Sequence, residues 1–286
     1  MVDITEAPSS FDAEYYLSSN SDVAEAVKSG AMRSAWFHAV WWGFSEKRNG
    51  LSSETQRFIQ SYYDSRLPQS IPPAALRARV HGTDDFPSFD FTGAIVAKNI
   101  EDSIQEFDVC LGQNARVLDF GCGCGRILRH FASRHPSWKF SGTDIDDQAI
   151  GWCKQGISEL AAFDCNNSMP PLSYEDETFD LVYSISIFTH LPEDMQYAWL
   201  EELGRITKRG AFLFLSVHNM GLAASNDDSG FLYSVGEGTD GLPDFYQKTY
   251  HSIGYIRANW QKYLDVVAVL EKRVNNHQDL VVCQRR

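Results

Sequence analysis

Three glycines and two aspartates in the middle of the chain carry the clearest chemical signal in the sequence. The segment VLDFGCGCGRILRHF places Gly121, Gly123 and Gly125 directly after an apolar run that ends near Asp119. Glycine loses more conformational freedom on folding than any other residue, so such a cluster indicates a backbone that turns tightly or approaches something closely. The second aspartate, Asp144, stands 19 residues after Gly125, at the end of the next predicted strand.

These residue types fit one class of ligand. A carboxylate at the position of Asp144 can accept hydrogen bonds from both hydroxyls of a ribose. An acid at the head of the loop, Asp119, is unfavourable for a pyrophosphate and favourable for a cationic sulfonium amino acid. The residues therefore predict a ribose-bearing cofactor whose other end lies along the glycines, with helix capping by the two aspartates as the alternative.

Other ligand motifs match less well. A dinucleotide motif needs a glycine where Arg126 stands, and a phosphate-binding P-loop needs Gly-Lys followed by Ser or Thr. An NAD(P)-dependent oxidoreductase is therefore disfavoured, and nicotinamide binding would revive it. Cys122 and Cys124 lack the usual spacing of zinc ligands and no second pair follows, so we predict no metal site.

Several side chains that follow later strands could act on a substrate. His190 follows the fourth predicted strand and His218 ends the fifth, and a histidine can take a hydroxyl proton near neutral pH. Tyr250, His251 and His277 lie in or beside later loops, which carry specificity in α/β enzymes, and we predict that they contact the substrate. For His190 and His277 a purely structural role is the alternative.

The elements that must position these residues alternate between strand and helix. Strands are predicted at 116–119, 139–144, 160–163, 179–184, 210–217, 266–274 and 279–285, and helices at 93–111, 125–133, 147–155, 193–206 and 251–263. This alternation predicts an α/β fold with a doubly wound, seven-stranded, mainly parallel sheet. The short link 275–278 predicts an antiparallel C-terminal hairpin, and the long insertion 219–250 predicts a lid over the acceptor site.

The N-terminal part has a different pattern. Asp12 and Asp22 are placed to cap helices, and the aromatic residues of SAWFHAVWWGF at helical spacing predict a buried stripe. Serines and prolines in 51–75 indicate a linker. We therefore predict a small helical module with its linker at 1–75 and the α/β domain at 76–286.

Composition limits the partners. The net charge of −13 disfavours binding to nucleic acid or to an anionic membrane surface. The first ten residues are polar and acidic, unlike a secretory signal, and no apolar run approaches the ~20 residues that span a bilayer. We expect a cytoplasmic protein with no nucleic-acid partner and no membrane span.

Residues 115 to 217 resemble a class I S-adenosylmethionine-dependent methyltransferase. The matching segments are VLDFGCGCGRILRHF, FSGTDID, PPLSYEDETFDLVYSISIFTHLP and LGRITKRGAFLFLSV. The resemblance implies a Rossmann-like fold over about 115–285, methyl transfer, and S-adenosyl-L-methionine as cofactor. The cofactor-binding residues that it implies are Asp119, Gly121, Cys122, Gly123, Gly125, Asp144, Ile145, Asn166 and Ser184. Among them, Asp144 would bind the ribose, Ile145 would pack on the adenine, and Asn166 would lie near the adenine edge.

The N-terminal segment that begins FDAEYYLSSNSDV resembles a short module of bacterial surface-polysaccharide biosynthesis proteins, with Ser21 in place of a proline. The resemblance implies a glycan acceptor. We therefore expect O-methylation of a bacterial glycan, a sugar or another small metabolite. N-methylation of a small-molecule amine and a non-catalytic cofactor-binding module are the alternatives. A homodimer or a protein partner bound through the N-terminal module also stays open.

Overall fold

The computed structural model describes residues 4–64, 70–223, 228–236, 239 and 241–286. The chain divides into an N-terminal unit, Met1–Ile95, and a C-terminal unit, Val96–Arg286. This division lies later than the predicted boundary after residue 75, because Phe91, Ala94 and Ile95 belong to the core of the N-terminal unit.

The N-terminal unit is helical in its described part. Its helices are α1 (Ala13–Ser19), α2 (Ser21–Ser29), α3 (Ala35–His38) with a π-helical turn at Ala39–Gly43, α4 (Ser53–Asp64), α5 (Ala74–His81) and the first part of α6 (Phe86–Glu106). The Asp12 carboxylate accepts the Tyr15 N–H at 2.9 Å and caps α1, as predicted. Asp22 is not a cap, because α2 already begins at Ser21 and places Asp22 in its first turn.

The aromatic stripe forms much of the core of this unit. Trp36 and Phe37 are buried, and the Trp36 indole N–H donates to the Ile4 carbonyl at 2.9 Å. Trp41 and Trp42 are half-buried and stack with 4.3 Å between their ring centroids. The helical spacing of these aromatic residues is thus explained by their packing in the core of the unit.

The C-terminal unit is built on a mixed sheet that has nine strands among its described residues. The strands are β1 (Arg116–Phe120), β2 (Lys139–Asp144), β3 (Ala161–Cys165), β4 (Phe179–Ser184), β5 (Thr207–Asn219), β6 (Phe231–Ser234), β7 (Lys248–His251), β8 (Asp265–Val274) and β9 (Gln278–Gln284). The helices that follow α6 are α7 (Leu128–Arg134), α8 (Asp147–Gly156), α9 (Glu193–Ile206) and α10 (Ile253–Asn259).

The strand order confirms the predicted doubly wound fold. Strands β3, β2, β1, β4 and β5 run parallel in that order, and β9 and β8 add to β5 as an antiparallel hairpin. The chain starts in the middle at β1, moves outward to β3, and returns to the other side of β1 with β4. Ligands of such sheets bind beyond the carboxyl ends of the strands at this switch point.

Two short strands, β6 and β7, were not predicted. They lie in the insertion 219–250, where β7 runs parallel to the last two residues of β5 and β6 pairs antiparallel with β7. Residues 224–227, 237–238 and 240 of the insertion lie outside the described residues, so the lid stays a prediction. The described part extends the sheet.

Alternate residues of β1 enter two different apolar cores, as a strand between two layers requires. Leu118 and Phe120 pack in one core, together with Trp199 and Trp260. Val117 packs in a second, separate core. Within the described ranges, the helices are all too short or too polar to cross a membrane.

Candidate active site

The glycine loop between β1 and α7 needs its glycines for two reasons. Gly121, Gly123 and Gly125 have φ angles of 83°, 53° and 72°, in the left-handed region that favours glycine. A Cβ on Gly121 would lie 2.2 Å from Ile187 Cδ1, and a Cβ on Gly125 would lie 2.6 Å from Ile157 Cδ1. The sequence signal therefore reports both backbone conformation and close packing.

Main-chain hydrogen bonds hold the loop against the end of β2. The N–H groups of Gly121 and Cys122 donate to the Thr143 carbonyl at 2.8 and 2.9 Å. The Gly123 N–H donates to Asp144 Oδ2 at 2.7 Å, and the Asp146 N–H donates to Asp144 Oδ1 at 2.9 Å. One carboxylate thus ties the loop to the turn after β2.

Burial raises the pKa of Asp144, and the backbone N–H groups of Asp146 and Gly123 oppose that shift. Asp144 does not cap α8, because the cap is Asp146, whose carboxylate accepts the N–H groups of Gln148 and Ala149. The capping alternative therefore does not explain Asp144.

Asp119 lies deeper. It is 2% exposed, and Oδ2 accepts a hydrogen bond from the Tyr183 hydroxyl at 3.0 Å. Burial raises the pKa of Asp119 to about 8, against the effect of that bond. This carboxyl does not cap a helix either, and a neighbouring cation would favour its ionised form.

A cavity opens beyond the ends of β1 to β4. It is lined by Phe120, Gly121, Asp144, Ile145, Asn166, Asn167, Ser168, Ile187, Leu191, Trp199, Phe245 and Tyr246. Gly121, Asp144, Ile145 and Asn166 are thus brought together from the predicted cofactor-binding set. The other predicted residues, Asp119, Cys122, Gly123, Gly125 and Ser184, are not part of this lining.

Sequence reasoning missed most of the apolar lining. Ile187, Leu191 and Trp199 follow or belong to segments that were read as a turn and a helix, and apolar residues there also serve the core. Phe245 and Tyr246 come from the insertion, where no periodic pattern marks them. Arg126 marks only a missing glycine in the sequence, yet it is half-buried, and desolvation lowers its pKa.

A row of rings leads away from the cavity. Tyr246 stacks on His190 with 4.1 Å between ring centroids, His190 lies 6.2 Å from His218, and His218 lies 5.6 Å from His277. Tyr250 is directly opposite His218 in the β5–β7 pairing, at 5.4 Å. The structure therefore brings both predicted catalytic histidines and two of the predicted substrate residues into one cluster.

His218 is the most enclosed member of this cluster. It is 9% exposed, and its Nδ1 has no hydrogen-bond partner among the residues that the structure describes. Burial, with neighbouring His190 and His277, lowers the pKa of His218 to about 4, and a hydrogen bond to the Thr249 backbone opposes the shift. The ring is therefore neutral at neutral pH.

His251 lies on the other face of β7 from Tyr250, because side chains alternate along a strand. It is 1% exposed, its Nε2 is 2.9 Å from Gln196 Oε1, and it packs against Trp260 and Phe231. Burial lowers the pKa of His251 to about 3. These contacts are those of a core residue, and its role toward a substrate stays a prediction.

Two further buried groups near the sheet end have no partner in the described part of the chain. Ser184 Oγ at the end of β4 and Asn166 Oδ1 after β3 accept or donate no hydrogen bond there. All six cysteines are free, and Cys122 is buried. Among the described side chains, no group of three or more histidine, cysteine or acidic residues is arranged to hold a metal ion.

Comparison with known proteins finds similarity to methyltransferases in part of the chain. Residues 117–210 match the family model described as a methyltransferase domain. A probable methyltransferase, ltbC, of Aspergillus luteorubrus is 30% identical over 107 residues, which are 34% of this chain and 38% of the relative. Norajmaline N-methyltransferase of Rauvolfia serpentina is 25% identical over 186 residues, 60% of this chain and 62% of the relative. The chain thus spans less than two thirds of these relatives.

Among solved structures, the TehB-like SAM-dependent methyltransferase from Corynebacterium glutamicum is 18% identical, with a TM-score of 0.45, and the match covers 67% of this chain and 88% of that one. Curated relatives include N-, C- and O-methyltransferases. The family match shows that residues 117–210 are similar to a methyltransferase domain, and these relatives leave the methyl acceptor unidentified.

Proposed function

We propose that this protein transfers a methyl group from S-adenosyl-L-methionine to a hydroxyl of a glycan, a sugar or another small metabolite. The observation that carries the proposal is the position of Asp144. Its carboxylate lines the cavity and also accepts the Gly123 N–H at 2.7 Å. A single carboxylate therefore lies both in the cavity wall and against the glycine loop.

The cavity lining fits this cofactor. Each Asp144 oxygen accepts one backbone N–H, and a carboxylate oxygen has a second lone pair for a ribose hydroxyl. The buried Asn166 Oδ1 has no partner in the described structure and can accept a hydrogen bond from the amino group of adenine. Ile145 supplies an apolar wall on the same side. We assign these residues to the adenosine part.

We assign the methionine part to the loop and to Asp119. Its carboxyl is buried beside the loop, where an ammonium group would replace its proton as the favourable partner. The Cβ-free surface of Gly121 lets the ligand approach the backbone closely. Cys122, Gly123, Gly125 and Ser184 belong to the same proposal as neighbours of this end.

When bound, S-adenosyl-L-methionine supplies a methyl group on a positively charged sulfur. The chain holds an acceptor hydroxyl in line with that methyl, excludes water and takes the hydroxyl proton. We assign the proton to His218 Nδ1, the buried imidazole nitrogen that lacks a described partner, with His190 as the second candidate. The His218 imidazole would hold this proton at Nδ1 once the hydroxyl has given it up.

Tyr250 and His277 flank His218 and are our candidates for contacts to the acceptor. The glycan class rests on the resemblance of the N-terminal segment to polysaccharide-biosynthesis modules. The acidic net charge disfavours a nucleic-acid substrate, and a cytoplasmic location is part of the same proposal. A homodimer or a protein partner bound through the N-terminal unit is part of the same proposal.

N-methylation of a small-molecule amine is the second candidate. It is favoured by one relative, whose name states norajmaline N-methylation. A neutral amine is already nucleophilic, so it needs less help from a base than a hydroxyl does. The two candidates therefore differ in how strongly they depend on His218.

The first test is titration calorimetry with S-adenosyl-L-methionine and S-adenosylhomocysteine. We expect micromolar binding in the wild type and loss of binding in Asp144→Ala. Asp146→Ala is the matched control, because it removes a helix cap and costs about 1 kcal/mol of stability without touching the cavity. Equal affinity of wild type and Asp144→Ala would contradict the proposed site, and absence of binding would contradict the cofactor.

The second test uses methyl transfer to a panel of sugars, glycan precursors and small amines, read as S-adenosylhomocysteine release. With a hydroxyl acceptor, His218→Ala should lower the rate by about 100-fold, the usual contribution of a general base. With an amine acceptor most of the rate should remain. Unchanged transfer to a hydroxyl in His218→Ala would exclude His218 as the base.

A further inference from the structure

Tyr246 and Gln247, near the end of the insertion, make three contacts with His190. The Tyr246 ring stacks on the His190 ring, with 4.1 Å between centroids and 15° between planes. The Gln247 carbonyl lies 2.9 Å from His190 Nδ1, and the Gln247 N–H donates to the His190 carbonyl at 3.1 Å. Ring plane and backbone of His190 are thus both held by two consecutive residues.

The contact at Nδ1 also sets the position of the proton. A backbone carbonyl oxygen can only accept a hydrogen bond, so His190 Nδ1 must carry the hydrogen. In the neutral ring the lone pair is then on Nε2. The geometry selects the nitrogen of His190 that can take a proton.

Tyr246 belongs to the cofactor cavity as well. It lines the cavity with Gly121 and Asp144, and it is close enough for the Asp144 carboxylate and the Arg126 guanidinium to act on the pKa of its phenol in opposite directions. Burial is the main cause that raises this pKa. One face of the insertion residue thus meets the cavity, and its ring also meets His190.

Tyr246 is held by a hydrogen bond to the main chain. Its hydroxyl donates to the Ser186 carbonyl at 3.0 Å. Ser186 has a φ of 65°, which is unusual for a residue with a side chain, and its N–H donates to Ser216 Oγ at 2.7 Å. The Gln278 side chain bonds both serines from β9. Ser216 of β5 and Gln278 of β9 thus bond the residue after β4 whose carbonyl holds Tyr246.

We propose that Tyr246 is a positioning residue that fixes the His190 ring against the cofactor cavity, so that filling the cavity changes the surroundings of His190. The coupling to the cofactor rests on the proposed function, whereas the fixing of the ring does not. Tyr246 acts through His190 and takes no proton itself.

The test is NMR of the protein with isotope-labelled histidine side chains, assigned with His190→Gln. In the wild type above neutral pH, the ring nitrogens of His190 should report the form with hydrogen on Nδ1. Tyr246→Leu removes the stacked ring, so the His190 ring should turn away from the Gln247 carbonyl and shift toward the other form. Tyr246→Phe keeps the stacked ring but loses its hydrogen bond to the Ser186 carbonyl, so its shift should be smaller than that of Tyr246→Leu.

The matched control is Tyr233→Phe. It removes a hydroxyl from the same insertion that donates to the Phe245 carbonyl at 2.7 Å, and the Tyr233 ring is not part of the cavity lining. We expect it to leave the His190 signals unchanged. Added S-adenosylhomocysteine should shift the His190 signals in the wild type and in Tyr233→Phe, and that shift should be lost in Tyr246→Leu.

A folded Tyr246→Leu with wild-type His190 signals would overturn the proposal. So would hydrogen on Nε2 in the wild type, a result that needs no variant. Binding of S-adenosylhomocysteine without any shift at His190 would overturn the coupling alone. Absence of that binding in calorimetry would instead count against the proposed function, and the ring-nitrogen measurement would still decide the role of Tyr246.

Discussion

The two sides of the strand edge in the C-terminal unit are held together by different kinds of contact. On the side of β1 and β2, the glycine loop is fixed by main-chain N–H groups that donate to the Thr143 carbonyl and the Asp144 carboxylate. On the side of β4, β5 and β7, His190 and His218 lie among neighbouring rings, and the Gln247 main chain also bonds His190. Left-handed backbone conformations are confined to the loop among these contacts, whereas ring packing is confined to the histidine side.

Because of this difference, we expect substitutions on the two sides to have different structural costs. A backbone held in left-handed conformations against neighbouring atoms allows few side chains, so changes there should disturb folding and ligand binding together. Rings packed at a strand end can be replaced with smaller structural cost. We therefore expect substitutions to be tolerated better on the histidine side than in the glycine loop.

The largest expected effect is on the loop side. Gly121→Val places a branched side chain at a φ of 83° and 2.2 Å from Ile187, so S-adenosylhomocysteine should bind roughly 100-fold more weakly and the melting temperature should fall. Calorimetry and thermal unfolding measure both. Gly151→Ala is the control, because it lies in α8 with open space around it and should gain up to about 1 kcal/mol. Wild-type affinity in Gly121→Val would remove the distinction between the two sides.

The next effect is a pH dependence of cofactor binding. The pKa of Asp119 is raised to about 8 by burial, so below pH 8 the free protein must lose a proton from this carboxyl to pair with an ammonium group. Affinity for S-adenosylhomocysteine should therefore fall as pH is lowered from 8 to 6, by about tenfold for each unit.

Calorimetry in buffers of different ionisation enthalpy would count the released proton. Asp119→Asn cannot ionise, so its weaker binding should not depend on pH in this range. Equal wild-type affinity at pH 6 and pH 8 would show that Asp119 is not the partner of the ammonium group.

A smaller effect is a loss of stability at acid pH that is due to His251. The folded-state pKa of His251 is lowered to about 3 from its ordinary 6.5, so as pH falls below 6.5 the unfolded chain binds a proton that the folded chain does not. Stability is present above pH 6.5 and is lost by about 1.4 kcal/mol for each unit below it. Urea unfolding at pH 7.5 and pH 5 measures the loss.

His251→Gln should lose less stability between these pH values than the wild type, because its side chain takes no proton. His277→Gln is the exposed control and should follow the wild type. If His251→Gln and the wild type lose the same stability, the acid sensitivity comes from other groups.

Local pattern was enough for much of the sheet. The predicted strand 179–184 and helix 193–206 coincide with β4 and α9, because each is an apolar or amphipathic run with clear ends, and the predicted strand 139–144 coincides with β2. The glycine loop and Asp144 are recognised by residue type and spacing. The helix predicted at 125–133 begins later, at Leu128, since the left-handed glycines cannot belong to its first turn.

Other features depend on contacts that no local pattern shows. Helix α6 begins at Phe86 rather than at 93, because the Asp85 carboxylate accepts the Ser88 N–H and starts the helix early. Strands β6 and β7 have four residues each and exist through pairing with each other and with β5. The stacking of Tyr246 on His190 follows from that pairing, so sequence spacing did not reveal it.

The junction between β5 and β7 consists of two residue pairs, His218 with Tyr250 and Asn219 with His251. The rest of the sheet is complete without it, so the hairpin is a unit that recombination between relatives could exchange. Tyr246 travels with that unit, and it shapes the cavity wall as well as the neighbouring imidazole. An exchanged hairpin would therefore change the cavity wall and the contacts of His190 in a single step, and chimeras should keep an aromatic residue at position 246.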